Sequence, residues 1–97
     1  MDFILVVEFN EDKIKARLLY HLRKKKVIGG VHTHFNTLKM GFPKNLGKEV
    51  EVISKKLIKE GWLITKPTSY GLQVSLNKEK LSGIEFFIEK VLGLTFG

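Results

Sequence analysis

Apolar residues recur at helical spacing in three segments of the chain and alternate in a fourth. Ile14, Leu18 and Leu22 return every four residues, and Leu19 widens the stripe. This spacing predicts a helix from about Glu11 to Lys26. Asn10 is a candidate N-cap, and Glu11 and Asp12 suit a first helical turn. Gly29 and Gly30 end this unit. Val31 predicts a brief strand, and Thr33 a cap for a short helix from about His34 to Met40. Gly41 suits a left-handed turn, Phe42 is placed to drop into the core, and Pro43 suits entry to a new helix.

The next helix, from about Asn45 to Glu60, has the clearest pattern. Leu46, Val50, Ile53 and Leu57 fall in a narrow sector, with Lys44, Lys48, Glu51, Lys55 and Lys59 almost opposite. Gly61 stops it. Trp62 to Lys66 and Leu72 to Leu76 predict two strands, the second with Leu72, Val74 and Leu76 on one side and Gln73 and Ser75 on the other. Pro67-Thr68-Ser69-Tyr70-Gly71 is a turn-rich tip, so the pair forms a hairpin. Asn77 is placed to cap a last helix from about Lys78 to Leu92, with the seam Leu81, Ile84, Ile88 and Val91 widened by Phe87 and Leu92. Gly93 ends it and leaves a short tail. At the other end, the β-branched and aromatic run Phe3 to Phe9 predicts a short strand or an apolar arm.

The expected class is α+β, in one domain. Residues 1–10 form a strand or arm, 11–77 a core, and 78–97 a helix and tail. The chain has 97 residues, which excludes a two-domain enzyme. The longest apolar run, Phe3 to Val7, is far short of the roughly 20 residues that span a bilayer. It follows Asp2 rather than a basic stretch, so it does not read as a secretory signal, and the expected compartment is the cytoplasm. There is no cysteine, which excludes disulfides, thiolate metal sites and a thiol nucleophile.

The elements and their order resemble a winged helix-turn-helix domain. The residues that carry the resemblance are Leu57-Ile58-Lys59-Glu60-Gly61-Trp62-Leu63-Ile64, then Lys66-Pro67-Thr68-Ser69-Tyr70-Gly71-Leu72-Gln73-Val74-Ser75-Leu76-Asn77. In that family a third helix ends in Leu-x-x-x-Gly followed by two apolar residues. A strand, a glycine-containing wing tip and a strand returning to Asn come next. The chain is also similar to small uncharacterised archaeal winged-helix proteins. The resemblance covers about residues 11 to 77, and Pro43 in the turn before the third helix departs from the pattern.

Charge bears on what such a domain would bind. The chain holds 17 Lys and Arg against 10 Asp and Glu, a net +7. Residues 13–66 hold 14 of those cations and only Glu49, Glu51 and Glu60, a net +11, and the remainder sums to −4. This division fits a basic binding module with acidic supporting elements. Helix-end preferences account for part of it, since Arg23, Lys24, Lys25 and Lys26 suit a helix C-terminus.

The resemblance implies binding to double-stranded DNA by a transcriptional regulator. The third helix would lie in the major groove and the hairpin wing on the backbone or minor groove. Lys44, Asn45, Lys48, Glu51, Val52 and Lys55 are groove candidates by angle. Lys44 and Lys48 suit guanine or phosphate, and Asn45 suits adenine or simply caps the helix. Lys55 and Lys59 suit phosphates or an ordinary solvated face. Lys66, Thr68, Ser69 and Tyr70 form the wing contacts, with packing over the hairpin as the alternative for Tyr70. Arg23, Lys24, Lys25 and Lys26 would hold a flanking phosphate.

A single small module gains specificity by pairing on two half-sites, so a homodimer is expected. The candidate pairing residues are Phe3, Leu5 and Val7 of the arm and Leu81, Ile84, Phe87, Ile88 and Val91 of the last helix. The alternative is that arm and helix pack on each other within one chain. Competing functions are a protein–protein module in a larger assembly and an RNA-binding protein.

Other chemistry finds little support in the sequence. His32-Thr33-His34 would need a further ligand, from His21, Glu49 or Glu51, to hold zinc, and nothing in the spacing supplies one. No nucleophile, phosphate-loop or metalloprotease motif is present. The expectation is no enzyme, no metal, no cofactor, no small-molecule substrate and no membrane partner.

Overall fold

Helix ends set the frame. A computed structural model describes residues 10–96 of the chain. The segment Phe3 to Phe9, with Phe3, Leu5 and Val7, lies outside the described residues. Helix α1 spans Glu11–Lys24. The Asn10 side chain accepts from the Lys13 N–H at 2.8 Å, and Glu11 and Asp12 sit at the positive end of the helix dipole. The helix stops two residues earlier than its apolar period predicts. Lys26 turns left-handed at φ 59°, its N–H donates to the Arg23 carbonyl, and the Val27 N–H donates back to Leu22. This reverse turn tucks Val27 into the core.

The segment after Gly29 and Gly30 departs most from expectation. Val31 is 55% exposed and forms no strand. Strand β1 is Thr33–His34 instead. Thr33 therefore does not cap the following short helix, which is a 3₁₀ turn over Phe35–Lys39, one residue shorter at each end than expected. Gly41 takes the expected left-handed turn at φ 91°, and Phe42 packs half-buried against the core. A second 3₁₀ turn, Lys44–Leu46, precedes helix α2, Gly47–Lys59. The α-helix thus begins at Gly47 rather than Asn45. Gly61 at φ 82° ends it with the same turn that ends α1: Trp62 donates to Leu57, and Gly61 to Ile58.

Strands β2 (Leu63–Thr68) and β3 (Gly71–Leu76) form the hairpin. The expected five-residue tip shrinks to Ser69 and Tyr70, because Thr68 pairs with Gly71 and Pro67 with Leu72. Pro67 is tolerated because β2 is an edge strand. The sheet is antiparallel, in the order β1-β3-β2. The alternation in β3 holds at Val74 and Leu76 and fails at Leu72 and Ser75. Val74 and Leu76 are buried, while Leu72 lies beyond the core at 39% exposed. Ser75 is fully buried although on the opposite face, and its hydroxyl donates to the Gly29 carbonyl at 2.9 Å. The backbone of residues 27–29 runs beside Leu76 and is hydrogen-bonded to it.

Asn77 caps a 3₁₀ turn, Lys78–Lys80, which leads into α3, Leu81–Leu92. Gly93 ends α3 in a left-handed turn. Helix α3 lies against α1, and α1 in turn packs on α2 and the sheet. One core joins them, with Ile14, Leu18, Leu19 and Leu22 from α1, Val50, Ile53 and Leu57 from α2, Leu63, Val74 and Leu76 from the sheet, and Ile84 and Ile88 from α3. The described chain is an α+β fold of three α-helices and a small three-stranded antiparallel sheet. No helix in it is long and apolar enough to cross a membrane.

Candidate nucleic-acid interface

Helix α2 turns its apolar seam inward, and this aims its lysines outward. Val50 and Leu57 are fully buried and Ile53 nearly so, while Lys48, Lys55 and Lys59 on the far side are exposed. Ser54 joins the buried side, and its hydroxyl donates to the Val50 carbonyl at 2.7 Å. Lys44 and Asn45 are also exposed, in the 3₁₀ turn that feeds the helix. Neither 3₁₀ nor α-helix is capped by the Asn45 side chain. That removes the capping reading of this residue and leaves its amide facing solvent.

The acidic residue of this face is not isolated. Glu51 lies between Lys39 at 3.8 Å and Lys55 at 3.6 Å. Lys55 is thus part of a local ion pair, and Lys39 joins the face from the preceding 3₁₀ turn. Lys56 reaches Glu11 at the start of α1, at 3.2 Å. Beside that pair an open groove of about 380 Å³ runs between α1 and α2, lined in part by Ile14, Lys48, Val52 and Lys56. Val52 is 50% exposed in that groove, between Lys48 and Lys56.

The hairpin tip is built by Thr68. Its hydroxyl donates to the Gly71 carbonyl at 2.8 Å and accepts from the Tyr70 N–H at 3.1 Å. Ser69 is exposed and Tyr70 is 83% exposed, so Tyr70 does not pack over the hairpin. Lys66 is exposed on β2 and pairs with Gln73, which pairs in turn with His34 of β1. Directly opposed residues share a face of a sheet, so His34, Gln73 and Lys66 form one polar row beneath the tip. The His34 ring also lies beside Gly71, where a Cβ would sit 3.8 Å away. Reading the sequence missed His34 and Gln73, because the register of a two-residue strand carries no local signal.

The basic cluster at the end of α1 is divided. Arg23 donates from Nε to Glu85 of α3 at 2.6 Å and stacks its guanidinium 5.0 Å from the Phe96 ring. It thereby joins α1 to α3. Lys24 lies over the Tyr20 ring at 5.2 Å. Lys25 and Lys26 remain exposed. His21 lines a small pocket with Arg17, Tyr20, Lys24 and Leu92. Burial lowers its imidazole pKa, with Lys25 and then Lys24 adding to the effect.

The pairing residues proposed on the last helix also divide. Ile84 and Ile88 are fully buried in the core of the chain itself, so they are not available to a second copy. Leu81, Phe87 and Val91 are half-buried. Phe87 meets Trp62 edge to face at 5.6 Å, with Lys15 seated over both rings. Among the described residues no group of three or more His, Cys, Asp or Glu could hold a metal ion. Comparison of the chain with family models, with curated proteins and with solved structures gives no significant match.

Proposed function

We propose that the chain is a double-stranded DNA-binding protein of the winged helix-turn-helix type, acting as a transcriptional regulator. Helix α2 enters the major groove, and the β2–β3 hairpin is the wing, resting on the backbone or minor groove. The observation that carries this reading is the connectivity. The order is α1, β1, a short helix, α2, β2 and β3, with β1 hydrogen-bonded to β3 rather than to β2. A winged helix needs this closure, because it fixes the hairpin beside the helix that precedes it.

The exposed side chains support roles along that surface. Lys44 and Asn45, in the 3₁₀ turn that feeds α2, and Lys48, in its first turn, reach base edges, where a helix N-terminus enters the groove most deeply. Lys55 and Lys59 lie further along and meet phosphates. Lys66, Thr68, Ser69 and Tyr70 meet the backbone from the wing. The pairing of Glu51 with Lys39 and Lys55 keeps its charge from opposing the phosphates.

The test is duplex binding by fluorescence anisotropy over a salt series. Each neutralised phosphate contributes about −0.9 to the slope of log affinity against log salt. A slope of roughly −3 is expected from the phosphate contacts of Lys55, Lys59 and Lys66, rising to between about −4 and −5 if Lys44 and Lys48 also neutralise phosphates. Absence of binding at about 25 mM salt, where non-specific attraction is strongest, overturns the reading.

A further inference from the structure

Helix α3 has a second face that the core does not use. Ser82, Gly83, Phe86 and Lys90 are all exposed on it. Phe86 is 65% exposed, an unusual position for a large aromatic side chain. Gly83 lies inside the helix, where glycine is weaker than alanine. Its φ is not positive, and a Cβ added there would meet nothing within 4 Å. Neither backbone conformation nor packing among the described residues asks for glycine at this point.

The charges beside this face are also sorted. Glu85 is held by Arg23, and Glu89 accepts from the Phe96 N–H. Lys80 donates to the Glu60 carbonyl at 3.2 Å, and Lys78 lies alongside Gly29. Glu79 and Lys90 remain exposed, with no ion-pair partner among the described residues.

We propose that this face binds a second copy of the chain, through two α3 helices running antiparallel about a two-fold axis. With the axis passing midway between Ile84 and Glu85, Phe86 of each copy lies over the partner's Gly83. The same register sets Lys90 opposite the partner's Glu79. An aromatic knob, an open seat and an opposite-charge pair are then all satisfied by one self-complementary contact. The missing Cβ at Gly83 is what lets the Phe86 ring approach the helix backbone. One helix face is smaller than the roughly 800 Å² per partner of a standard interface, so the association is weak and concentration-dependent.

Sedimentation velocity on the full chain, from about 10 μM to about 1 mM, tests this without DNA. A monomer–dimer equilibrium is expected across that range. Gly83→Gln fills the seat while favouring the helix, so it weakens dimerisation at least about tenfold and leaves the melting temperature of the dilute protein equal or higher. Lys90→Glu weakens pairing about tenfold, and Glu79→Lys combined with Lys90→Glu restores it to within about threefold. A chain that stays monomeric at about 1 mM overturns the proposal. So does a dimer indifferent to Gly83→Gln, or a double charge reversal no better than the single one.

Discussion

Helices α1 and α2 are nearly equal in length, at 14 and 13 residues, and both end in the same left-handed reverse turn. Both are also rich in lysine or arginine, yet they hold that charge differently. On α1, Lys15 is only 15% exposed, seated over Trp62 and Phe87 and paired with Glu60 at 3.6 Å. Arg23 is fixed by Glu85 and Lys24 leans on Tyr20. On α2, Lys48 and Lys59 have no partner among the described residues, and Lys55 and Lys56 make only exposed ion pairs. Exposed pairs contribute little to stability. Much of α1's positive charge is therefore structural, and that of α2 is available to a ligand. The net +11 of residues 13–66 adds the two kinds together and so overstates the binding surface.

Substitution separates the two helices. The largest effect is expected in the first turn of α2 and the 3₁₀ turn that feeds it. Lys44→Ala and Lys48→Ala should each weaken binding to a selected DNA site by about 10- to 100-fold, and Lys59→Ala by less. Stability should stay within about 0.5 kcal/mol for all three, measured by urea unfolding. Equal losses for all three on any duplex would mean phosphate contact alone. Next comes Lys15→Ala on α1, which removes the contacts to two rings and the packing of the lysine stem. A stability loss of about 1–2 kcal/mol is expected, with DNA affinity unchanged.

Lys26→Gly then probes the turn itself. Lys26 holds the left-handed position that Gly61 fills at the end of α2. Glycine should raise stability by roughly 0.5–1 kcal/mol. If Lys26 touches phosphate, the salt slope of binding should also become shallower by about 1. A gain in stability with no change in slope would assign Lys26 to the structural group.

The smallest effect concerns His21. Its folded pKa lies below the ordinary 6.5, so the unfolded chain binds the proton more readily. Well above 6.5 both states are neutral and nothing differs. As pH falls through 6.5 the folded state loses stability, until the pH drops below the folded value. His21→Asn should flatten this part of the unfolding free energy measured between about pH 7.5 and pH 5.

Local signals carried most of the fold. The seams of α1, α2 and α3 repeat within four residues, and the β2–β3 hairpin joins strands adjacent in sequence, so pattern and turn chemistry sufficed. What sequence did not reveal depends on distant partners. Strand β1 exists because β3 offers Val74 and Gln73 to Thr33 and His34. Ser75 is buried with its hydroxyl on the carbonyl of Gly29, 46 residues away. At the site, the solvent-facing lysines of α2 followed from helical angle alone. The use of Arg23 by Glu85, 62 residues away, did not, and neither did the pairing of Lys39 with Glu51. Periodicity gives the side of a helix that faces away from its core but not the neighbour found there.

The two-residue loop of the hairpin has a mechanical consequence. Thr68 fastens both the carbonyl of Gly71 and the N–H of Tyr70, and β3 is braced by strands on both sides. The backbone under Tyr70 is thus ordered when the chain folds rather than when it meets a partner. Little conformational entropy remains to be lost there on contact, apart from the rotation of one exposed ring. A lengthened loop carrying the same tyrosine would keep the chemistry of the tip and lose that advantage.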